Sequence, residues 1–389
     1  MGGCTSKALT NDENENIVNI NDRSIESTTH NASHPPTQTQ TQAPTLSEQY
    51  STNAATSRTN ISRTTSRSTL RSIFRSQTGS SNRLRPTSSA RLSNPLPVPA
   101  QSNRRSFTGF ITRYSRRWHN VANSKYLLPN DDEEMDRLLT QHYMLRYVWG
   151  NNFSAPITGM LTGGGGRILE VGCGPAFWTL EMATSFPHSF FTGVDMVAVY
   201  PSSIKPQNVT FTQSNILDGL PYDNEKFDYV YQRFLVCAYT ASQWENEVIN
   251  ELVRVLKRGG WVEVAECDGR YESMGPVAKQ LSDAVATLLR SHEMDPYVSE
   301  SLRNLLAKDS HLTDVAAQEI SIPVGSWGGN PGKLAQDNLI AFYKALKAPL
   351  SDMLRIPLDS FDDLMQSFSR EADLYRTKWI SRRVYARKI

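Results

Sequence analysis

Large apolar residues are scarce before about residue 125 and frequent after it, where they fall into two recurring spacings. Ile168, Leu169 and Val171 make a short run that closes on Gly172 and Gly174, and helix-forming residues follow from Thr179 to Ala183. Phe190 to Val194 is a second run, ending on Asp195; Val209 to Gln213 alternates as a third, and Phe227 to Tyr231 is a fourth. Short apolar runs bounded by turn residues predict buried strands. Trp244, Val248, Ile249, Leu252, Val253 and Leu256 recur at helical spacing instead, which predicts an amphipathic helix over 243–256. Lys257-Arg258-Gly259-Gly260 stops it, and residues 260–266 read as a fifth strand. Strands alternating with helices predict an α/β fold, a doubly wound and mostly parallel sheet. Beyond it, helices over about 275–309 and 331–373 predict a helical cap that helps shape a pocket. Two late strands, about 315–324 and 379–388, predict an antiparallel C-terminal strand pair at the sheet edge.

Composition adds a division. Residues 1–125 are rich in Ser, Thr, Asn, Gln and Arg and hold too little apolar surface to bury, so they are expected to be a disordered N-terminal tail, with one folded domain over 126–389. Residues 1–50 carry a net charge of −4, residues 51–125 carry +14, and the remainder carries −8, so the overall +2 conceals a basic tail on an acidic domain. Met1-Gly2-Gly3-Cys4-Thr5-Ser6-Lys7 fits the N-myristoylation pattern, with Gly2 as acceptor and Cys4 open to palmitoylation. One acyl chain holds a protein only marginally. A second chain or the basic stretch would complete a tether to the cytosolic face of an anionic membrane, worth about 1 kcal/mol per basic residue near the surface. Nucleic acid is not an expected partner, because aromatic residues among the arginines are sparse. Four cysteines without metal spacing suit a reducing compartment, and no metal site, signal peptide or membrane span is expected.

The glycine turn carries the candidate chemistry. A strand, a tight turn and a helix N-terminus bring backbone close to a ligand, and the helix end offers free N–H groups to an anion. Asp195, 21 residues after Gly174, suits a ribose, since a carboxylate accepts from both hydroxyls. A dinucleotide site wants glycine three residues after the second glycine, and Phe177 stands there. Glu170 just before the turn would also repel a diphosphate.

Four pieces together, LEVGCGPA, FTGVD, NILDGLPYDNEKFDYV and ELVRVLKRGGWVEVAE, span about residues 165–267 and resemble the class I S-adenosylmethionine-dependent methyltransferases. The block NDDEEMDRLLTQHYMLRYVWGNNFSAP is also similar to fungal methyltransferases of the secondary-metabolism-regulator type. The resemblance implies a Rossmann-like fold, S-adenosylmethionine as cofactor, Glu170, Gly172 and Gly174 at its methionine end, Asp195 at the ribose, and Met196, Asn215 and Ile216 at the adenine. It places the substrate mouth after the fourth strand, at Tyr231, Gln232 and Arg233. Two departures stand out: Ala176 replaces a third glycine, and Asn215 stands where relatives often have Asp. Neither an Asn-Pro-Pro-Tyr nor a Pro-Cys signature appears, so catalytic residues and the methyl acceptor stay open. A cofactor-binding regulator with little or no catalysis is the alternative.

Overall fold

The computed structural model describes residues 109–389. It opens with a hairpin of β1 (Phe110–Arg113) and β2 (Arg116–His119), followed by helix α1 (Asp132–Trp149) and the short α2 (Thr158–Gly163). The alternating core runs β3 (Arg167–Val171), α3 (Phe177–Ser185), β4 (Phe190–Asp195), β5 (Val209–Gln213) and β6 (Phe227–Arg233). A π-helical turn, Trp244–Val248, leads into α4 (Ile249–Val255), and β7 (Leu256–Glu272) follows without a break. The cap comprises α5 (Pro276–Ser291) and α6 (Val298–Lys308), then, beyond β8 (Leu312–Pro323), α7 (Gly329–Ala345), α8 (Lys347–Leu354) and α9 (Phe361–Leu374); β9 (Lys378–Lys388) ends the chain.

Seven strands form one sheet in the order β5-β4-β3-β6-β7-β9-β8. The four pairings that join the first five strands, from β5 to β7, are parallel, as expected of a doubly wound sheet. The C-terminal pair is antiparallel, and the last strand inserts between β7 and β8, so β9 alone runs against its neighbours. On one sheet face Ile168, Phe191, Tyr229 and Tyr231 pack against Trp178 and Met182 of α3. On the other Leu169, Val171, Val230 and Val264 pack against Trp244, Val248 and Leu252. A third cluster joins α1 to the cap through Met144, Leu281, Leu288, Leu339, Tyr343 and Phe361. Each fully buried side chain of this size contributes about 1.5–3 kcal/mol.

The hairpin falls within the segment expected to be disordered up to residue 125. Its Arg116 forks onto Asp131 at 2.5 and 2.7 Å, and Asp131 also caps α1 by accepting from the Glu134 N–H at 3.2 Å. Lys125 pairs with Glu293. A composition rich in arginine reads as unpackable, yet these cations meet acids that lie beyond the basic stretch. Gly2 and Cys4 lie outside the described residues. Among the described residues no helix is long and apolar enough to cross a membrane.

Candidate cofactor site

The register of β3 with its neighbours aligns three strand ends. Val171 stands opposite Val194 of β4 and Gln232 of β6, so the turns after these strands meet. After Val171 the chain bends through Gly172 at φ +66° and Gly174 at φ +50°, conformations that cost a residue with a Cβ about 1–2 kcal/mol. Ala176 bears that cost: it sits at φ +65° as the N-terminal cap of α3 and is fully buried. A Cβ on Gly172 would lie 2.6 Å from Cδ1 of Leu235.

Asp195 fastens the turn from the adjacent strand. Its Oδ2 accepts from the Gly174 N–H at 2.8 Å and its Oδ1 from the Val197 N–H at 2.9 Å. Burial pushes its carboxyl up to about 6 against those amide donors. Gln213 donates to the Met196 carbonyl at 3.1 Å, and Asn215 accepts from the Leu217 N–H at 3.2 Å, capping the single turn Ile216–Asp218. Gly172, Gly174, Asp195, Met196, Asn215 and Ile216 thus border one cavity of about 70 Å³. Five further lining residues were not legible in the sequence: Tyr126, Asn130, Leu138, Leu235 and Tyr239. The Asn130 side chain is buried and its Oδ1 has no hydrogen-bond partner in the structure. Asn130-Asp131 before an acidic run signals a helix start, but nothing in that spacing marks a ligand.

A methyltransferase-domain model matches residues 168–260, the segment that builds this cavity. The N-methyltransferase sirN of Leptosphaeria maculans is 30% identical over 226 residues, covering 56% of this chain and 78% of that protein. The chain belongs to the S-adenosylmethionine-dependent methyltransferases. It is also similar to methyltransferase str3 of Strobilurus tenacellus, 28% identical over 238 residues that cover 59% of this chain and 82% of that protein. The protein-methionine methyltransferase laeA of Emericella nidulans is 25% identical over 311 residues, covering 72% and 77%. S-adenosylmethionine is the cofactor of this methyltransferase, and a turn crowded against a Cβ at Gly172, with the unpartnered buried amide oxygen of Asn130 on a residue of the same cavity, suits a ligand rich in hydroxyl and amine donors.

Four residues of the expected set stand apart from the cavity: Glu170, expected at its methionine end, and Tyr231, Gln232 and Arg233, expected at the substrate mouth. Glu170 is 1% exposed and does not border the cavity. Its Oε2 accepts from the Thr179 N–H at 3.1 Å and from the Thr179 hydroxyl, and its Oε1 lies 3.7 Å from Nε of Arg233. Along β3 it shares the Ile168 face, under α3, so it takes up an N–H of the helix end that a ligand anion was expected to use. Burial pushes it up to about 7, with Arg233 and Thr179 pulling the other way. Tyr231 is 1% exposed and stacks on Trp178 with centroids 4.3 Å apart; its side chain belongs to the core, since it shares a strand face with Tyr229. Gln232, pointing to the other face, is fully buried. Arg233 is a structural partner: besides Glu170, its Nη1 donates to Nδ1 of His142 at 3.3 Å. His142 is buried and its Nε2 donates to Glu181 at 2.7 Å; burial and the Arg233 charge lower it to about 4, so it packs as a neutral ring.

Proposed function

We propose that the cavity beneath Tyr126 and Asn130 holds the methyl donor, with the methionine end over Gly172 and Gly174, the ribose on Asp195, and the purine beside Met196, Asn215 and Ile216. The observation that carries this reading is Asp195 itself, which both pins the glycine turn through Gly174 and borders the cavity. When bound, the sulfonium supplies an activated methyl group. The chain supplies orientation and water exclusion: the backbone turn approaches closely, and Leu138, Leu235 and Tyr239 dry the walls.

A ribose-binding carboxylate must be ionised to accept from both hydroxyls. With Asp195 titrating near 6, it is ionised at pH 7.5 and mostly protonated at pH 5. The dissociation constant of S-adenosylhomocysteine, whose own groups do not titrate in that window, is expected to rise about tenfold between those values. A flat profile in calorimetric titrations would remove Asp195 from the ribose.

The reaction reading is tested with radiolabelled S-adenosylmethionine in host lysate. Label transferred to any fraction supports an active enzyme. No transfer by a protein that binds the cofactor supports the alternative, a cofactor-binding regulator, which the name secondary metabolism regulator laeA of another Emericella nidulans relative brings to mind. We further propose that residues 1–125 tether the enzyme to an anionic membrane through acylation of Gly2 and Cys4 and the +14 stretch. Gly2→Ala is expected to move the protein from the membrane pellet to the supernatant on fractionation; an unchanged distribution rejects the tether.

A further inference from the structure

The register of the sheet places two arginines on either side of one alanine. Ala265 of β7 stands opposite Arg233 of β6 and opposite Arg383 of β9, so all three side chains leave the same sheet face. Neighbouring strands lie about 4.8 Å apart, which sets the two arginine backbones about 10 Å apart with only a methyl group between them. A small cavity of about 10 Å³ opens there, against the last turn of α1, with Trp149 and Trp178 among its walls. That volume holds one water-sized body.

The lining is charged in one sense. Arg146, Arg233 and Arg383 border the cavity, and no acid does. Arg146 is partly exposed and paired with Glu181 at 3.0 Å, so its charge is already met. The other two are held off their acids. Nε of Arg233 lies 3.7 Å from Glu170 and Nε of Arg383 lies 3.8 Å from Glu263, both beyond hydrogen-bond distance. Arg383 is 3% exposed, and its Nε has no hydrogen-bond partner in the structure. Two further donors border the same space. Ser381 accepts from the Trp149 indole N–H at 3.2 Å, which leaves its own hydroxyl proton to donate. The Tyr231 hydroxyl lies near enough to Arg383 and Arg233 that both charges pull it down against the effect of burial. A buried charged donor without an acceptor is costly, and a water here would leave the two like charges facing each other.

We propose that this cavity binds a single halide ion, held by Arg233, Arg383, Tyr231 and Ser381. A monoatomic anion fits the volume and accepts from several donors at once, whereas carboxylate, phosphate and sulfate are too large for it. Bound there, the ion screens the two guanidinium groups from each other and ties β6 to β9 across Ala265. None of its four holding residues borders the donor cavity, so its effect falls on stability rather than on cofactor affinity.

Thermal unfolding of the full chain, followed as potassium chloride replaces potassium gluconate at constant ionic strength, tests the site. A saturable rise of about 3 °C in the melting midpoint is expected, since gluconate is too large to enter. Ala265→Val fills the space and keeps both arginines, and Tyr231→Phe removes one donor. Each should lose at least half of that rise while its circular dichroism spectrum matches that of the natural chain. Crystals of the natural chain soaked in bromide should show an anomalous peak between Arg233 and Arg383. A midpoint indifferent to chloride at fixed ionic strength, a full rise in both variants, or a bromide-soaked crystal whose cavity holds water alone overturns the proposal.

Discussion

Glu263→Ala is expected to destabilise the protein by about 4 kcal/mol, the range for breaking a buried ion pair by removing one partner. Glu263 lies inside β7 and is fully buried. Its carboxylate accepts from the Ser154 and Ala155 N–H groups, each at 2.8 Å, and from the Tyr229 hydroxyl at 2.9 Å, with Nε of Arg383 at 3.8 Å. One side chain therefore ties the segment after α1 to β6, β7 and β9. Burial pushes its carboxyl up, and the Arg383 charge and the amide donors act against that. Alanine would strand two amides, a phenol and a guanidinium that is itself only 3% exposed. Arg383 keeps Asn151, at 2.7 Å, and its stacking over Trp149, so the loss is partial. Urea denaturation checks this: the midpoint should fall with the slope unchanged, and a loss under about 1 kcal/mol would contradict the account.

Gly172→Val is expected to reduce affinity for S-adenosylhomocysteine at least a hundredfold, with a stability loss of about 2 kcal/mol. A β-branched residue at φ +66° is strained whatever the space around it. Its Cβ would also press on Leu235, whose Cδ1 is 2.6 Å away, and both residues line the donor cavity, so the added bulk falls where the ligand would lie. Strain and blockage thus act on the same site. Calorimetry gives the affinity and circular dichroism reports the fold; near-natural binding by this variant would place the cofactor elsewhere.

The strand-and-helix alternation was legible because each run has one period and a turn signal at its end. The donor side of the site was legible for the same reason, since Gly172, Gly174, Asp195 and Asn215 all sit just past strand ends. Strand faces decided the misplaced residues. Period two along β3 and β6 puts Glu170 with Ile168, and Tyr231 with Tyr229, under α3 rather than in the cavity. Tyr126 and Asn130 were out of reach because they join the glycine turn around one cavity from more than 40 residues away in the chain. The place of β9 between β7 and β8 is likewise a long-range pairing that local pattern does not encode. Ala176, the departure from a third glycine, is a buried left-handed alanine where glycine would be unstrained.

The turn at Gly172 and Gly174, braced by Asp195, is proposed to bind the methyl donor. Isothermal titration of S-adenosylhomocysteine into the full chain and into Asp195→Ala tests it most directly. Saturable one-to-one binding by the natural chain and a loss of at least tenfold in the variant are expected. Absence of binding, or equal binding by both, would contradict it.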